Sequence, residues 1–227
     1  MITDHSLFKG FNDQEGIMLC GYESGHSKED QENEKNGTAE PMNEEAECTF
    51  ATKYLMHGDK AKKWKYDNRI KKWFAEIFNH PLNESEFTDF DKCIVQTNWC
   101  NTQGNKIEED KYIKLRQPEQ VKNFLNHIKE LKPKVIFFLG SAMIEVLQED
   151  AIKPRFMDIM GKETRKLSYP KRDGANFKVG FQSFEKCEII SLPHPSGTRG
   201  LSDNDIELFA DGIIPVLEDF ANSPHLS

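Results

Sequence analysis

The chain has 227 residues, 37% of them hydrophobic, which is enough to bury the core of a single domain spanning residues 1–227. It has no apolar run of membrane-spanning length and no apolar leader, so we expect a soluble, intracellular, cytoplasmic protein with no membrane partner. The net charge of −8 disfavours a nucleic-acid partner, but residues 28–47 account for −6 of it, and the near-neutral remainder can still carry a basic groove.

The first predicted element is a buried strand at Ile17–Cys20, a short apolar run that ends in the turn GYESG, Gly21–Gly25. The next segment is polar, acidic and without periodicity, so we expect a mobile acidic insertion at about 27–49. Two roles stay open for this insertion: a solvated loop without function and a regulatory lid beside the site.

Two helices and a second strand are predicted in the middle of the chain. A helix around Lys60–Phe78 has an apolar face made of Ile70, Trp73, Phe74, Ile77 and Phe78. A strand at Cys93–Thr97 leads into the polar segment Asn98–Asn105. A helix at Pro118–Leu131 starts with proline and buries Val121, Phe124, Leu125, Ile128 and Leu131.

The third predicted strand, Val135–Leu139, is continuously apolar, as expected of a strand covered on both faces, and a short helix follows it to about Gln148. The sequence of residues 152–186 indicates a hairpin or an irregular excursion, whose position in the fold the sequence does not predict. The fourth strand is Glu188–Leu192. The closing helix, Asp203–Phe220, has Ser202 as N-cap, Asp205 three residues on, and an apolar face of Ile206, Phe209, Ile213, Leu217 and Phe220.

Strands that alternate with helices predict an α/β fold, here a three-layer α/β/α arrangement around a central, mainly parallel four-stranded sheet. Ligands of such sheets bind just beyond the carboxyl ends of the strands. Glu23 follows the first strand and His194 follows the last. We therefore expect this carboxylate and this imidazole to face one crevice.

The cysteines and histidines do not predict a disulfide framework or a metal site. The five cysteines are scattered, odd in number and without a Cys-x-x-Cys pair, so we expect reduced thiols packed as small apolar groups. The seven histidines lack metal-ligand spacing. We expect neither a metal nor another cofactor.

Four segments carry a pattern that extends over nearly the whole chain. They are the turn Gly21–Gly25, the strand end TNWCNTQGN at Thr97–Asn105, the strand and helix VIFFLGSAMIEVL at Val135–Leu147, and the turn LPHPSGTRG at Leu192–Gly200. In this order and with this spacing they resemble the motifs of the uracil-DNA glycosylase superfamily, the His-Pro-Ser of the last being the most specific. The resemblance implies a uracil-DNA glycosylase-like fold.

The resemblance also implies an activity. The chain would be a monofunctional DNA glycosylase of the base-excision-repair type, hydrolysing the N-glycosidic bond of uracil or another altered base flipped out of DNA. The third place of the first motif holds Glu23, which would stabilise the cationic sugar and orient the attacking water. His194 would donate a hydrogen bond to the departing base, as an oxyanion hole does.

The same resemblance assigns binding residues. Asn98 would match the Watson–Crick edge of the base, because an amide both donates and accepts, and Gly21, Tyr22 and Gly25 would line the base site. The aromatic that stacks on the base has two unaligned candidates, Phe50 and Tyr54. The residues expected to contact DNA are Ser196, Gly197, Thr198 and Arg199.

Several positions depart from the family pattern. Ser24 stands where proline is usual, Tyr22 where a smaller or polar residue is expected, and Gly25 where the main branch has the tyrosine that excludes 5-methyl groups. Thymine or a bulkier 5-substituted base is therefore not excluded by that residue. The last motif has Thr198 and Arg199 in place of an apolar wedge, and the cysteines do not fit the iron–sulfur branch.

Each of these side chains has a structural alternative. Glu23 can cap a turn or pair with a lysine, Asn98 can end its strand as an Asx turn, and Arg199 can be solvated instead of bound to phosphate. Trp99 is expected to pack in the core. No lysine stands at a position that suggests a Schiff base, so we expect no associated strand cleavage.

Two further functions stay open. The chain can be a catalytically inactive protein of the same fold, binding modified DNA or, through the acidic loop, a protein partner. It can also hydrolyse a free nucleoside or nucleotide. A serine hydrolase is disfavoured, because Ser24 is not at the third place of the turn. In each case we expect a monomer.

Overall fold

A sheet with a parallel centre and antiparallel edges organises the computed structural model, which describes residues 14–25, 32–33, 35–37, 48–49, 63–82, 88–104, 111–196 and 198–223. The strands, in chain order, are β1 Ile17–Gly21, β2 Ser24–Gly25, β3 Cys48–Thr49, β4 Ile94–Asn98, β5 Gln103–Gly104, β6 Val135–Leu139, β7 Glu163–Ser168, β8 Gly180–Phe184 and β9 Glu188–Leu192. The small strands β2 and β5 pair with each other outside the main sheet.

The main sheet has the order β3-β4-β1-β6-β9-β8-β7. Its centre, β4-β1-β6-β9, is parallel throughout and consists of the four strands predicted from the sequence. The expected number of four strands is too small, because β8 and β7 extend the sheet beyond β9 and the two-residue β3 extends it beyond β4. These added strands are antiparallel to their neighbours. Strands β7 and β8 form a hairpin within residues 152–186, the segment whose position in the fold was not predicted.

Alternation along the central strands explains why both faces of the sheet are apolar. Met18 and Cys20 of β1 point to one face, and Ile17 and Leu19 point to the other. All five residues of β6 are buried, as expected of a strand between two helical layers.

Helices cover both faces, which gives the three-layer arrangement. Their bounds are α1 Lys65–Lys72, α2 Asp89–Lys92, α3 Lys111–Arg116, α4 Pro118–Leu131, α5 Ser141–Leu147, α6 Lys153–Met160, α7 Asp203–Glu207 and α8 Ala210–Ala221. Buried residues of α3 to α6 pack on one face, and those of α1, α7 and α8 pack on the other. Every residue predicted for the apolar faces of the three long helices is buried.

Two helices differ in detail from the prediction. Helix α1 passes into a π-helical turn at Trp73–Ile77, a rare form that the apolar spacing does not reveal. The predicted closing helix is two helices, α7 and α8, separated at Leu208 and Phe209. Its predicted start is confirmed, since Ser202 and Asp205 form a reciprocal capping box.

In the part of the chain that the structure describes, no helix combines the length and apolar character needed to cross a membrane.

Candidate functional site

The carboxyl edge of the four parallel strands is where the predicted site residues gather. From β1 the chain adds β4 on one side and then β6 on the other, so the strand order reverses between β1 and β6. Open α/β sheets bind ligands at such a switch point. The segment Gly21–Glu23 leaves β1 there, Gly140 and Ser141 leave β6, and His194 follows β9 one strand further on.

Backbone hydrogen bonds join the first two motifs into one unit. The Trp99 amide donates to the Gly21 carbonyl at 2.9 Å, and the Cys100 amide donates to the Tyr22 carbonyl at 2.9 Å. Beyond these bonds, β2 pairs in parallel with β5, so that Gly25 lies opposite Gly104. The two turns are therefore fixed against each other, although about 75 residues separate them in sequence.

Gly21 lies between two polar side chains. A Cβ at Gly21 would lie 2.5 Å from Oδ1 of Asn98 and 3.4 Å from the hydroxyl of Tyr66. Asn98 is directly opposite Gly21 in the β1–β4 register, and Tyr66 reaches the same point from α1. The absence of a side chain at Gly21 thus lets an amide and a phenol approach the end of β1 together.

His194 lies on the other side of Tyr66. The two ring centroids are 5.4 Å apart at an interplanar angle of 50°. The backbone amide of Ser196 donates to Nδ1 of His194 at 3.3 Å, which makes Nδ1 the acceptor and places the proton of the neutral ring on Nε2. Burial lowers the pKa of His194 below its ordinary value of 6.5. This imidazole is accordingly a neutral ring with one donor at neutral pH.

Tyr66 is also kept uncharged. Burial, and to a smaller extent the neighbouring Asp67 and Cys20, raise the pKa of its phenol well above the ordinary value of 10.0. Its hydroxyl therefore keeps its proton at any physiological pH.

Glu23 lies two residues beyond Gly21 with its carboxylate buried, at 7% side-chain exposure. Oε2 accepts a hydrogen bond from Thr102 at 2.8 Å and forms an ion pair with Nζ of Lys114. Oε1 lies against Gly104, where a Cβ would be only 2.0 Å away. The alternative that Glu23 pairs with a lysine is thus realised in the structure, and the second motif supplies the rest of its surroundings.

A clasp made by Arg69 holds the turn that follows His194. Its guanidinium donates to the carbonyl oxygens of Pro195, at 2.9 Å, and Leu201, the two ends of the turn. It also contacts the Asp203 carboxylate, which accepts from Nε1 of Trp73 at 2.9 Å and from Lys72 at 2.7 Å. We name this group, Arg69, Lys72, Trp73 and Asp203, the α1 clasp.

Glu23 and His194 share one edge but do not stand side by side. Strand β6 lies between β1 and β9, so the two strand ends are about 9–10 Å apart, two strand spacings. Tyr66 connects the two sides, with its hydroxyl near Gly21 and its ring near His194. The carboxylate and the imidazole therefore lie at the same edge of the sheet, and the contacts of the Glu23 carboxylate are with Thr102, Lys114 and Gly104.

The remaining predicted residues have mixed placements. Tyr22 is a core residue, 5% exposed, whose hydroxyl donates to the Lys111 carbonyl at 3.3 Å, so its placement favours packing over contact with a base. Gly25 faces open space. Trp99 packs in the core as predicted, stacked on Phe124 at 3.9 Å.

The expected DNA-contacting turn is only partly described. Ser196 and Arg199 are exposed and Thr198 is half-buried, while Gly197 lies outside the described residues. Phe50, Tyr54 and most of the acidic insertion at about 27–49 also lie outside them.

Four side chains of the site were not predicted: Tyr66, Arg69, Thr102 and Lys114. Thr102 lies inside the second motif, and this position is the feature of the sequence that could have identified it as a site residue. Tyr66 and Arg69 were assigned only to a helix, and their spacing of three residues, followed by Trp73 four residues on, marks a single helical face. Lys114 lies on α3, whose place against Glu23 depends on the tertiary fold.

The four thiols that the structure describes are structural, as predicted. Cys20, Cys93, Cys100 and Cys187 are reduced and buried. Burial raises the pKa of Cys93 to about 11 and that of Cys100 to about 12, which leaves both protonated and unreactive at neutral pH. Among the described residues, no cluster of three or more His, Cys, Asp or Glu side chains has the geometry to hold a metal ion.

Comparison with known proteins gives no match, either to a family model or to a curated protein.

Proposed function

We propose that the chain is a DNA glycosylase that hydrolyses the N-glycosidic bond of uracil or a related altered pyrimidine. The observation that carries the proposal is that two neutral hydrogen-bonding side chains, Asn98 and Tyr66, meet at Gly21, and that His194 lies against the ring of Tyr66. They lie at the switch point of the sheet, with the Glu23 carboxylate two residues along the chain.

Base recognition follows from the donors and acceptors present. The Asn98 amide offers a donor and an acceptor, which matches the edge of a pyrimidine that carries a carbonyl oxygen next to an N–H. Tyr66 offers a hydroxyl and an aromatic ring at the same point. Tyr66 is thereby an aromatic candidate in addition to Phe50 and Tyr54, which lie outside the described residues.

Departure of the base requires stabilisation of the negative charge that develops on it. In a neutral His194, Nδ1 accepts a hydrogen bond from the Ser196 amide and Nε2 carries the proton. Nε2 can therefore donate a hydrogen bond to the base oxygen. The lowered pKa of His194 supports this role, because a hydrogen-bond donor of constant protonation state works over a wide pH range.

The sugar side of the reaction belongs to Glu23. A carboxylate near C1′ stabilises the oxocarbenium-like transition state and orients the attacking water. Thr102 and Lys114 both bind Oε2, which fixes the side chain. The ends of β1 and β9 are two strand spacings apart, about 9–10 Å, so Glu23 and His194 would approach a nucleoside from different sides.

The test is a substrate panel. Labelled oligonucleotides, single-stranded and duplex, would contain uracil, hypoxanthine, xanthine, mismatched thymine or 5-hydroxymethyluracil, and alkali would reveal abasic sites. We expect cleavage at one of the pyrimidines, and its loss in the isosteric variant Glu23→Gln. Absence of cleavage at every base would contradict the proposal.

One observation favours a second function, a binding protein of the same fold without catalysis. The Glu23 carboxylate is already buried against Lys114 and Thr102, as in a structural ion pair. A binding protein would hold an oligonucleotide with one of these bases more tightly than its unmodified control and would leave the base in place. Binding and excision measured on the same panel separate the two functions.

A further inference from the structure

Lys114 brings a primary amine to the candidate acid. Its Nζ pairs with Oε2 of Glu23 although the two residues are 91 positions apart, and it lies 5.9 Å from the ring centroid of Tyr22. The lysine side chain is 28% exposed and the carboxylate 7%. The lysine side chain is therefore more exposed than the acid that its amine contacts. This pairing contrasts with the expectation that no lysine is positioned for a Schiff base.

The position of this amine relative to a bound sugar follows from the proposed function. A carboxylate that stabilises positive charge at C1′ must lie close to that carbon, so a group in contact with the carboxylate lies close to it as well. Once the base is gone, C1′ belongs to a hemiacetal that opens to an aldehyde. Lysine amines form Schiff bases with carbonyl carbons of this kind.

We propose that Lys114 forms a Schiff base with C1′ of an abasic site in DNA and that the chain then cleaves the strand by β-elimination. This inference rests on the proposed function, because the glycosylase reaction produces the abasic site on which the lyase acts. The substrate of the lyase, an aldehydic abasic sugar, can also be supplied as an oligonucleotide with a preformed abasic site.

The reaction balances with the two side chains and water. Nζ of Lys114 transfers a proton to Glu23, and the neutral amine adds to the C1′ aldehyde to give a carbinolamine. Glu23 returns the proton to the carbinolamine hydroxyl, which leaves as water, and a protonated imine forms. The regenerated carboxylate then removes a proton from C2′, the C3′–O bond breaks, and its electron pair leaves with the 3′ phosphate. Water hydrolyses the conjugated imine and releases the lysine.

The experiment traps the imine. The full chain would be incubated with an oligonucleotide that carries one preformed abasic site, in the presence of borohydride, which reduces an imine to a stable secondary amine. We expect a protein–DNA adduct on a denaturing gel, with the modification on Lys114 after peptide mapping. No adduct, or an adduct on any other amine, would overturn the proposal.

Two variants sharpen the result. Lys114→Arg keeps a cation for the Glu23 ion pair but does not form an imine, so we expect the adduct to fall at least tenfold. Lys111→Arg is the matched control on the same helix, one turn away, and should trap within twofold of the natural chain. Equal trapping by Lys114→Arg and the natural chain would overturn the proposal, and peptide mapping decides the question independently of how Lys114→Arg folds.

Base removal from the substrate panel, measured on the same preparation, separates the two proposals. Base removal without an adduct on abasic DNA overturns the lyase and leaves the glycosylase standing. An adduct on Lys114 without base removal from any oligonucleotide supports the amine chemistry and removes the glycosylase.

Discussion

Two glycines, Gly21 and Gly104, make room for the polar groups of the site. A Cβ on Gly21 would meet Oδ1 of Asn98, and a Cβ on Gly104 would meet the carboxylate of Glu23. In both positions the obstructing atom is the end of a flexible side chain, which can move. A methyl group is therefore expected to displace the functional atom more than it disturbs the fold.

Gly104→Ala should reduce base excision at least tenfold while the protein stays folded, because Glu23 must turn away from Gly104. Gly16→Ala is the contrasting variant, since its Cβ would lie 2.1 Å from the Cys93 carbonyl, a backbone atom that cannot move away cheaply. Its unfolding free energy should fall by about 1–3 kcal/mol, the usual cost of overpacking. Urea unfolding and single-turnover excision measure both effects, and normal excision by Gly104→Ala would contradict the assigned role of Glu23.

The protonation state of His194 is a second prediction at this scale. Because burial lowers its pKa, the imidazole should titrate below pH 6.5 and be neutral, with the proton on Nε2, at pH 7. In the unfolded chain the pKa of this imidazole is about 6.5, above its value in the folded protein. The free energy of unfolding therefore falls as the pH drops from about 6.5 toward the folded pKa of His194. Nitrogen-15 spectra of the histidine rings, assigned with His194→Ala, test this directly, and a proton on Nδ1 at pH 7 would be the contrary result.

Residues at strand ends are predicted from the sequence more readily than residues on helices. Asn98, Glu23 and His194 were predicted because each follows an apolar strand within a short motif. Tyr66 and Lys114 were not, because each lies on a helix, and which helical residue reaches a strand end is decided by how the helix packs on the sheet. Tyr22 was placed in the site by its position in a motif, whereas its aromatic ring is buried in the core.

At the scale of elements, helix α1 couples the sheet to the turn that carries the candidate DNA contacts. The α1 clasp fixes both ends of the turn, Pro195 and Leu201, and the π-helical turn begins at its Trp73. A π-helical turn often marks a functional site. The apolar spacing predicted this helix and its buried face. It did not predict the π-helical turn, because that turn leaves the spacing of the apolar residues nearly unchanged.

Arg69→Ala should therefore loosen the turn without removing any group that contacts the base. Hydrogen bonds from a charged donor are worth about 1.5–3 kcal/mol, so we expect unfolding free energy to fall by this amount and KM for DNA to rise more than kcat falls. Arg69→Lys keeps the charge but not the planar fork that reaches both carbonyls, and should recover less than half of the loss. Full recovery by lysine would indicate that charge alone matters.

The four parallel strands were predicted from the sequence because each is a short apolar run bounded by turns. The position of the β7–β8 hairpin in the sheet was not predicted, since all six residues of β7 are exposed or half-buried and show no clear alternation. The register of that hairpin is also irregular, with shifts between Glu163, Arg165 and Ser168. Strands with weak patterning of this kind are specified by their neighbours more than by their own sequence.

At the scale of the molecule, charge is unevenly distributed along the chain. Residues 28–47 contain eight acidic residues and two lysines, and the rest of the chain carries a net charge of −2. DNA binding depends on the release of counterions by basic residues, and a nearby acidic segment opposes it.

Replacing the eight acidic residues of this segment with glutamine and asparagine should tighten DNA binding several-fold at low salt, with the difference shrinking as salt rises. This variant keeps the length of the segment, so it separates charge from the mere presence of a loop. Affinity measured by fluorescence anisotropy from 50 to 200 mM salt gives the comparison. Unchanged affinity at all salt concentrations would contradict an electrostatic role of the segment in DNA binding.

The most direct test of the account is the single-turnover rate of base excision by the natural chain, Glu23→Gln and His194→Ala on the uracil oligonucleotide or the best substrate of the panel. We expect each variant to lose at least two orders of magnitude in rate while circular dichroism and thermal unfolding show an intact fold. Two folded variants that excise the base at the natural rate would contradict it, because the chemistry would then lie outside the site at the carboxyl edge of the sheet.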